Sequence, residues 1–228
     1  MITQKGKEHL AKDKQNIYLR ILSGIVLVPL FVIAILWFKP LFYILMILVG
    51  MGMLSEWYNM TYSSIPYLLI GLIIIPIPIS LLIFLSMEDT NRWLIMLYFC
   101  IIWSVDSFAM IGGKTFKGAK LAPKISPKKT WSGLITGTLS AGLVAVLVSF
   151  IPNFHIENYY FSNKIYLFII SYILALIAQS SDLFISYFKR KFNIKDSGHI
   201  IPGHGGVLDR FDSIILTAPV LFLMNIYL

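Results

Sequence analysis

The 27 residues from Ser186 to Asp212, SYFKRKFNIKDSGHIIPGHGGVLDRFD, hold three carboxylates, five cationic side chains, two histidines and four glycines between long apolar runs. Such a mixture suits the handling of charge. Carboxylates can hold a divalent cation, lysines and arginines can bind phosphates, and a glycine-rich turn can offer backbone N–H groups to phosphate oxygens. Just upstream, Gln179, Asp182, Ser186 and Lys189 recur at i, i+3, i+7 and i+10, which predicts one polar face on an otherwise apolar helix. Asp182 lies six residues, or about 9 Å at helical rise, before the polar end at Phe188. An ionised carboxylate at that depth in hydrocarbon is costly unless it is paired, hydrated or bound to metal.

Two more acids, Asp209 and Asp212, open the last apolar run at i and i+3 and can face the same point as Asp182. Asp106, near the end of the fourth run, is a further candidate. An all-oxygen set without cysteine suits Mg²⁺, which takes a few carboxylates, water and substrate phosphates rather than a full protein cage. Pairing of these acids with Lys189, Arg190 and Arg210 is the alternative, and the residue pattern leaves both open. Between them, Pro202-Gly203-His204-Gly205-Gly206 presents backbone with few side chains in the way, as a phosphate cradle requires. His204 is assigned a hydrogen bond to phosphate, and His199 a place on the surface. A second polar stretch, Gly113–Ser132, adds Lys114, Lys117, Lys120, Lys124, Lys128 and Lys129 around Ser126-Pro127.

The elements that must position these groups are membrane helices. Of 228 residues 57% are hydrophobic and 13% charged, and the mean hydropathy is +0.78. A soluble core does not use so much apolar surface. Seven runs approach the roughly 20 residues a spanning helix needs: Ile21–Phe38, Leu41–Ser55, Pro66–Ser86, Arg92–Met110, Gly133–Ile151, Ile165–Phe188 and Phe211–Leu228. The second is short, with Trp57, Tyr58 and Tyr62 placed as an interfacial aromatic belt beyond it. Pro76 and Pro78 are expected to bend the third. The predicted fold is therefore all-α, a polytopic transmembrane bundle of about seven spans, in which two loops form an interfacial polar cavity. Residues 1–20 form a basic cytosolic segment with no removable signal peptide, and 21–228 a single membrane domain. Cys100 is the only cysteine, which excludes an intrachain disulfide and a cysteine metal site.

Charge sets the expected orientation. With the N-terminus inside, sixteen Lys and Arg residues fall on the inner side, while Lys39, Arg92 and Lys164 fall outside. The formal charge of +8 is then cytosolic, where it can attract anionic lipid headgroups or a polyphosphate. Nucleic acid is not expected as a partner, because the basic residues sit in short loops tied to membrane helices.

Ser186-Tyr187-Phe188-Lys189-Arg190, Lys195-Asp196-Ser197-Gly198, Pro202 to Gly206 and Asp209-Arg210-Phe211-Asp212, at these spacings, resemble the signature of phosphatidate cytidylyltransferases. Asp106, Gly113-Lys114, Lys120-Leu121-Ala122-Pro123 and Ile125 to Trp131 resemble the family's second block, so the likeness covers about 106–213, the catalytic part; the first hundred residues add only Glu56. The resemblance implies transfer of a cytidylyl group from CTP to phosphatidic acid, giving CDP-diacylglycerol and pyrophosphate, with Mg²⁺ and a second cation as cofactors. It implies catalytic roles for Asp182, Asp209 and Lys189, and a metal site of Asp182 and Asp209 supported by Asp212 and Asp196. Substrate contacts are implied for Ser126, Lys128, Lys129, Thr130, Arg190, Lys195, His204, Gly205, Gly206 and Arg210. A homodimer in the lipid bilayer of a bacterial-type inner membrane, with catalytic loops cytosolic, is implied as well. Six positions depart from the family's usual pattern: Ser181 stands for Gly, Ile185 for Glu, Ser132 for Glu, Phe108 for a small residue, and Lys117-Gly118 is in swapped order.

Two other readings compete. A transporter should carry its charges near mid-bilayer, often with an inverted repeat, whereas these gather toward one side and no repeat is visible. A membrane enzyme with another acceptor, such as a lipid-alcohol kinase or a CDP-archaeol synthase, is the nearer rival.

Overall fold

A computed structural model describes residues 24–90, 92–201 and 205–228. Ten helices and one hairpin follow in chain order among the described residues. The helices before the hairpin are α1 (Gly24–Leu36), α2 (Lys39–Thr61), α3 (Ile65–Ile74), α4 (Pro76–Glu88) and α5 (Trp93–Thr115). The antiparallel pair β1 (Lys120–Ala122) and β2 (Ser126–Thr130) follows. Then come α6 (Trp131–Val148), α7 (Tyr159–Ser162), α8 (Lys164–Lys191), α9 (Leu208–Phe211) and α10 (Ile214–Tyr227).

Six helical stretches are long and apolar enough to cross a membrane: Lys39–Thr61, Ile65–Glu88, Trp93–Thr115, Trp131–Val148, Lys164–Lys191 and Leu208–Tyr227. The chain is thus an integral membrane protein, helical as expected apart from the hairpin. The first of the seven expected runs corresponds to α1, an apolar helix shorter than these six, and its expected start at Ile21 lies outside the described residues. The basic segment 1–20 lies outside them too.

Several boundaries differ from the sequence reading. The second span is no short element: α2 runs to Thr61 and carries Glu56 and Trp57 into the interior, at 2% and 1% exposure. Trp57 is therefore core and not part of an aromatic belt; its indole N–H donates to the Tyr67 carbonyl at 2.9 Å, while Tyr58 and Tyr62 remain exposed. The third span breaks at Ile75, directly before Pro76, because proline cannot continue the ladder of the preceding turn. Helix α5 continues past Met110 to Thr115, and α8 past Phe188 to Lys191.

Helices α5 and α6 cross closely, which small residues permit. A Cβ on Gly133 would meet the Ala109 carbonyl oxygen at 2.7 Å, and one on Gly137 the Val105 carbonyl oxygen at 3.0 Å. Helix α8 packs against both α6 and α10, burying Leu167, Leu174, Ala175 and Ala178 completely. The end of α1 and the start of α2 meet the connection between α4 and α5, where Arg92 donates to the Leu36 carbonyl at 2.5 Å and Lys39 to the Met87 carbonyl at 3.4 Å. Lys39, Arg92 and Lys164 thus gather at the end of the bundle opposite the hairpin and the loop after α8.

Candidate active site

At the hairpin end, α8 delivers its polar face as the i, i+3, i+7, i+10 spacing requires. Lys129, on β2, forms an ion pair with Asp182 at 2.7 Å, the two side chains 16% and 26% exposed, and donates to the Gln179 carbonyl at 3.2 Å. Ser186 donates its hydroxyl to the other Asp182 oxygen at 3.2 Å. One turn on, Lys189 pairs with Asp209 at 2.8 Å with both side chains under a tenth exposed. Opposite charges buried this deeply need each other, since either alone in low dielectric is strongly unfavourable.

Asp209 is also a hub for the loop that follows α8. Its second oxygen accepts the backbone N–H groups of Ser197 at 2.9 Å and Gly206 at 3.2 Å. Gly205 adopts φ +89°, a left-handed conformation that favours glycine, and its carbonyl accepts Ile201 N–H at 3.0 Å. Glu56 meets the same loop from α2. Its carboxylate accepts Val207 N–H and Leu208 N–H, each at 2.9 Å, and the Ser197 hydroxyl at 2.7 Å. The sequence singled out Glu56 only through the family resemblance and gave it no role; a lone acid at the end of an apolar run was the available signal.

Asp212 is 7% exposed, and among the described residues its carboxylate accepts from the Ser213 hydroxyl at a long 3.5 Å. It lies within electrostatic reach of Asp182, Asp106, Lys189 and Lys129, and Asp106 is in turn within reach of Arg210. The last span does not start as one continuous helix: α9 and α10 are separated at Asp212 and Ser213. The reason is Ser181. Its hydroxyl donates to the Asp212 carbonyl at 2.5 Å and accepts the Leu216 N–H at 3.2 Å, standing between the two groups an uninterrupted helix would join directly.

The remaining expected substrate residues divide. Lys128 is exposed on β2 and Ser126 half-buried. Thr130 is committed to the start of α6, accepting Gly133 N–H at 3.1 Å as a helix cap. Arg190 is committed to backbone, donating to the Ile125 carbonyl at 3.0 Å and to Ile194 at 2.9 Å, which ties the hairpin turn to the end of α8. Lys195, Asp196 and Arg210 are exposed, as is His199; Asp196 immediately precedes Ser197, whose N–H donates to Asp209. His204, with Pro202 and Gly203, lies outside the described residues. Among the departures, Ile185 is buried core, and Ser132 donates to the Lys117 carbonyl. Lys117 and Gly118 both take positive φ, 55° and 103°, turning the chain from α5 into the hairpin.

Among the described residues no three His, Cys, Asp or Glu side chains form a complete protein ligand set. A hard cation shared with substrate phosphates asks for less, one or two carboxylates. The buried Asp212 carboxylate, weakly bonded and beside like charges, together with Asp182, fits that demand.

Fold and site together define an integral membrane protein that concentrates paired carboxylates and lysines at one end of a helical bundle. The cytidylyltransferase family model matches residues 60–228, and the chain belongs to that family. It is 96% identical over 226 residues to the phosphatidate cytidylyltransferase of Rickettsia felis, covering 99% of this chain and 100% of that protein. The enzyme of the same name from Rickettsia prowazekii is 88% identical over 228 residues, covering both chains fully. That of Brucella abortus is 38% identical over 135 residues, 58% of this chain and 46% of that one.

Proposed function

We propose that this protein transfers the cytidylyl group of CTP to phosphatidic acid, releasing pyrophosphate and giving CDP-diacylglycerol for phospholipid synthesis. The observation that carries the reading is full-length identity to phosphatidate cytidylyltransferases together with the convergence of Lys129, Asp182, Lys189 and Asp209 at one end of the bundle. A phosphatidate oxygen attacks the α-phosphorus in line; the new P–O bond forms as the bond to the bridging β-phosphate oxygen breaks. The pyrophosphate leaves with that electron pair, so with both substrates fully ionised no proton has to move. Catalysis is then positioning and charge neutralisation.

Lys129, in the more open pair with Asp182, can turn to a substrate phosphate, Lys189 offers its ammonium while held by Asp209, and Lys128 and Arg210 are exposed. Asp182 and Asp212 would hold a divalent cation, while Asp209 orients Lys189. When bound, Mg²⁺ would neutralise phosphate charge and polarise the phosphoryl oxygens. The backbone N–H groups of the loop after α8 orient Asp209. The concentration of cations at this end of the bundle supports its placement at the cytosolic face of the inner membrane, where CTP and the lipid headgroup meet.

The test uses purified protein in detergent with Mg²⁺, CTP labelled at the α- or γ-phosphate, and a panel of phosphatidate, diacylglycerol and an archaeol phosphate. The α-label should enter lipid with phosphatidate, and the γ-label should leave in pyrophosphate. Appearance of γ-label in lipid would identify a kinase and refute the proposal.

A further inference from the structure

The Glu56 carboxylate spans a gap that no local sequence pattern describes. It reaches from α2 to a segment about 140 to 150 residues later, where Val207 N–H, Leu208 N–H and the Ser197 hydroxyl all converge on it. Val207 and Leu208 stand at the start of the short α9, whose first N–H groups have no partner within the helix and are satisfied by Glu56. The loop lies so close that a Cβ on Gly198 would sit 2.5 Å from Glu56 Oε1, and one on Gly206 would overlap both Oε2 and the Ser197 hydroxyl. Glycine at these positions is a steric requirement of the clamp.

Ser197 faces both ways. Its hydroxyl donates to Glu56, and its backbone N–H donates to Asp209, which in turn holds Lys189. Gly206, beside Glu56, supplies the other N–H to Asp209. We infer that Glu56 is a positioning residue for this enzyme: it fixes the loop whose amides set the Asp209 carboxylate against Lys189. The inference rests on the proposed role of Asp209 and Lys189 in the reaction. In Glu56→Gln the shape is kept, but one oxygen becomes an amide N–H₂, so at least one of the three donors faces another donor. The loop then shifts, and its amides carry the shift to Asp209.

The test is a double-mutant comparison in detergent-solubilised enzyme, reading kcat and KM for CTP alongside thermal unfolding. Glu56→Gln should lower kcat/KM about 100-fold, the scale of an ångström-sized misplacement, mostly through kcat, and Ser197→Ala about tenfold. Glu56→Gln combined with Asp209→Asn should be no slower than Asp209→Asn alone, because both break the same chain of contacts. A purely structural lesion would multiply the losses, and that outcome overturns the inference, as does a wild-type rate in Glu56→Gln. Should Glu56→Gln fail to fold, Ser197→Ala alone and with Asp209→Asn gives the same comparison, and a wild-type rate in Ser197→Ala overturns it. Wild-type turnover in Asp209→Asn would bring down the proposed site itself, whereas an impaired Asp209→Asn beside an unimpaired Glu56→Gln sinks the positioning role only.

Discussion

Replacing Lys189 with Met tests whether the Lys189–Asp209 pair is an interior contact or a surface one. At 2.8 Å, with the side chains 8% and 9% exposed, the pair is withdrawn from water. Removing one partner of such a pair typically costs about 3–5 kcal/mol, because the other charge is left uncompensated. Asp209 keeps its two backbone donors, Ser197 and Gly206, and hydrogen bonds to a charged group are worth about 1.5–3 kcal/mol each. The loss should therefore fall at the lower end, about 3 kcal/mol. For a chain of this size that is a drop of about 6–12 °C in Tm. Asp209→Asn alone strands the Lys189 ammonium and should cost a similar amount. Lys189→Met with Asp209→Asn removes both charges while Asn still accepts from the loop amides, so stability should return to within about 1 kcal/mol of wild type. Pyrophosphate release should fall by orders of magnitude in all three variants while staying measurable. Thermal unfolding in detergent and the release assay together separate the effects. A double variant no more stable than either single one would refute the buried-pair reasoning.

Other outcomes follow from single contacts. Ser181→Ala removes the hydroxyl from between Asp212 and Leu216, leaving a buried acceptor and donor to find each other by closing the α9–α10 break; a loss of about 1–3 kcal/mol and slower turnover are expected, checked by unfolding and rate together. Gly133→Ala places a methyl against the Ala109 carbonyl oxygen and should destabilise the α5–α6 crossing by about 1–3 kcal/mol, read as a lower Tm. Chelation with EDTA should abolish pyrophosphate release, with recovery on adding Mg²⁺; full activity after exhaustive chelation would remove the divalent cation from the proposal. Burial raises the Asp89 carboxyl above its ordinary value of 3.8 despite its hydrogen bonds from backbone, chiefly Ile95 N–H. The folded state therefore holds this proton more tightly than the unfolded one. The group's contribution to stability is fully present below 3.8 and is lost as pH rises through the elevated folded value. Asp89→Asn should flatten that decline in unfolding measured across the acid range.

Much of the site was legible because helical periodicity is local. Gln179, Asp182, Ser186 and Lys189 were placed on one face by spacing alone, and their contacts with Lys129 and Asp209 lie on that face. The partners were legible only in part: Lys189, offered as a cation for the acids, does pair with Asp209. Sequence offered Lys189, Arg190 and Arg210 as cations for the acids, yet Asp182 takes Lys129 from β2, and Arg190 gives its guanidinium to backbone carbonyls. Thr130 shows the same limit: a residue type that suits substrate binding equally suits a helix cap, and its cap on α6 is visible only in the structure. The short estimate for α2 failed for a related reason. Glu56 reads as the end of a span because an acid in hydrocarbon is unfavourable, but three donors from distant residues satisfy it inside.

By itself the amino-acid order determined the membrane helices, the gathering of basic loops on one side, the polar face of α8 and the family motifs. Each of these is written in hydropathy or in spacing within a single element. Only the tertiary structure decided which donor meets which acceptor: Glu56 with the start of α9, Ser181 with the backbone of the last span, Lys129 with Asp182. Buried polar groups must be satisfied, and any of several partners would satisfy the rule; packing of helices far apart in sequence selects among them.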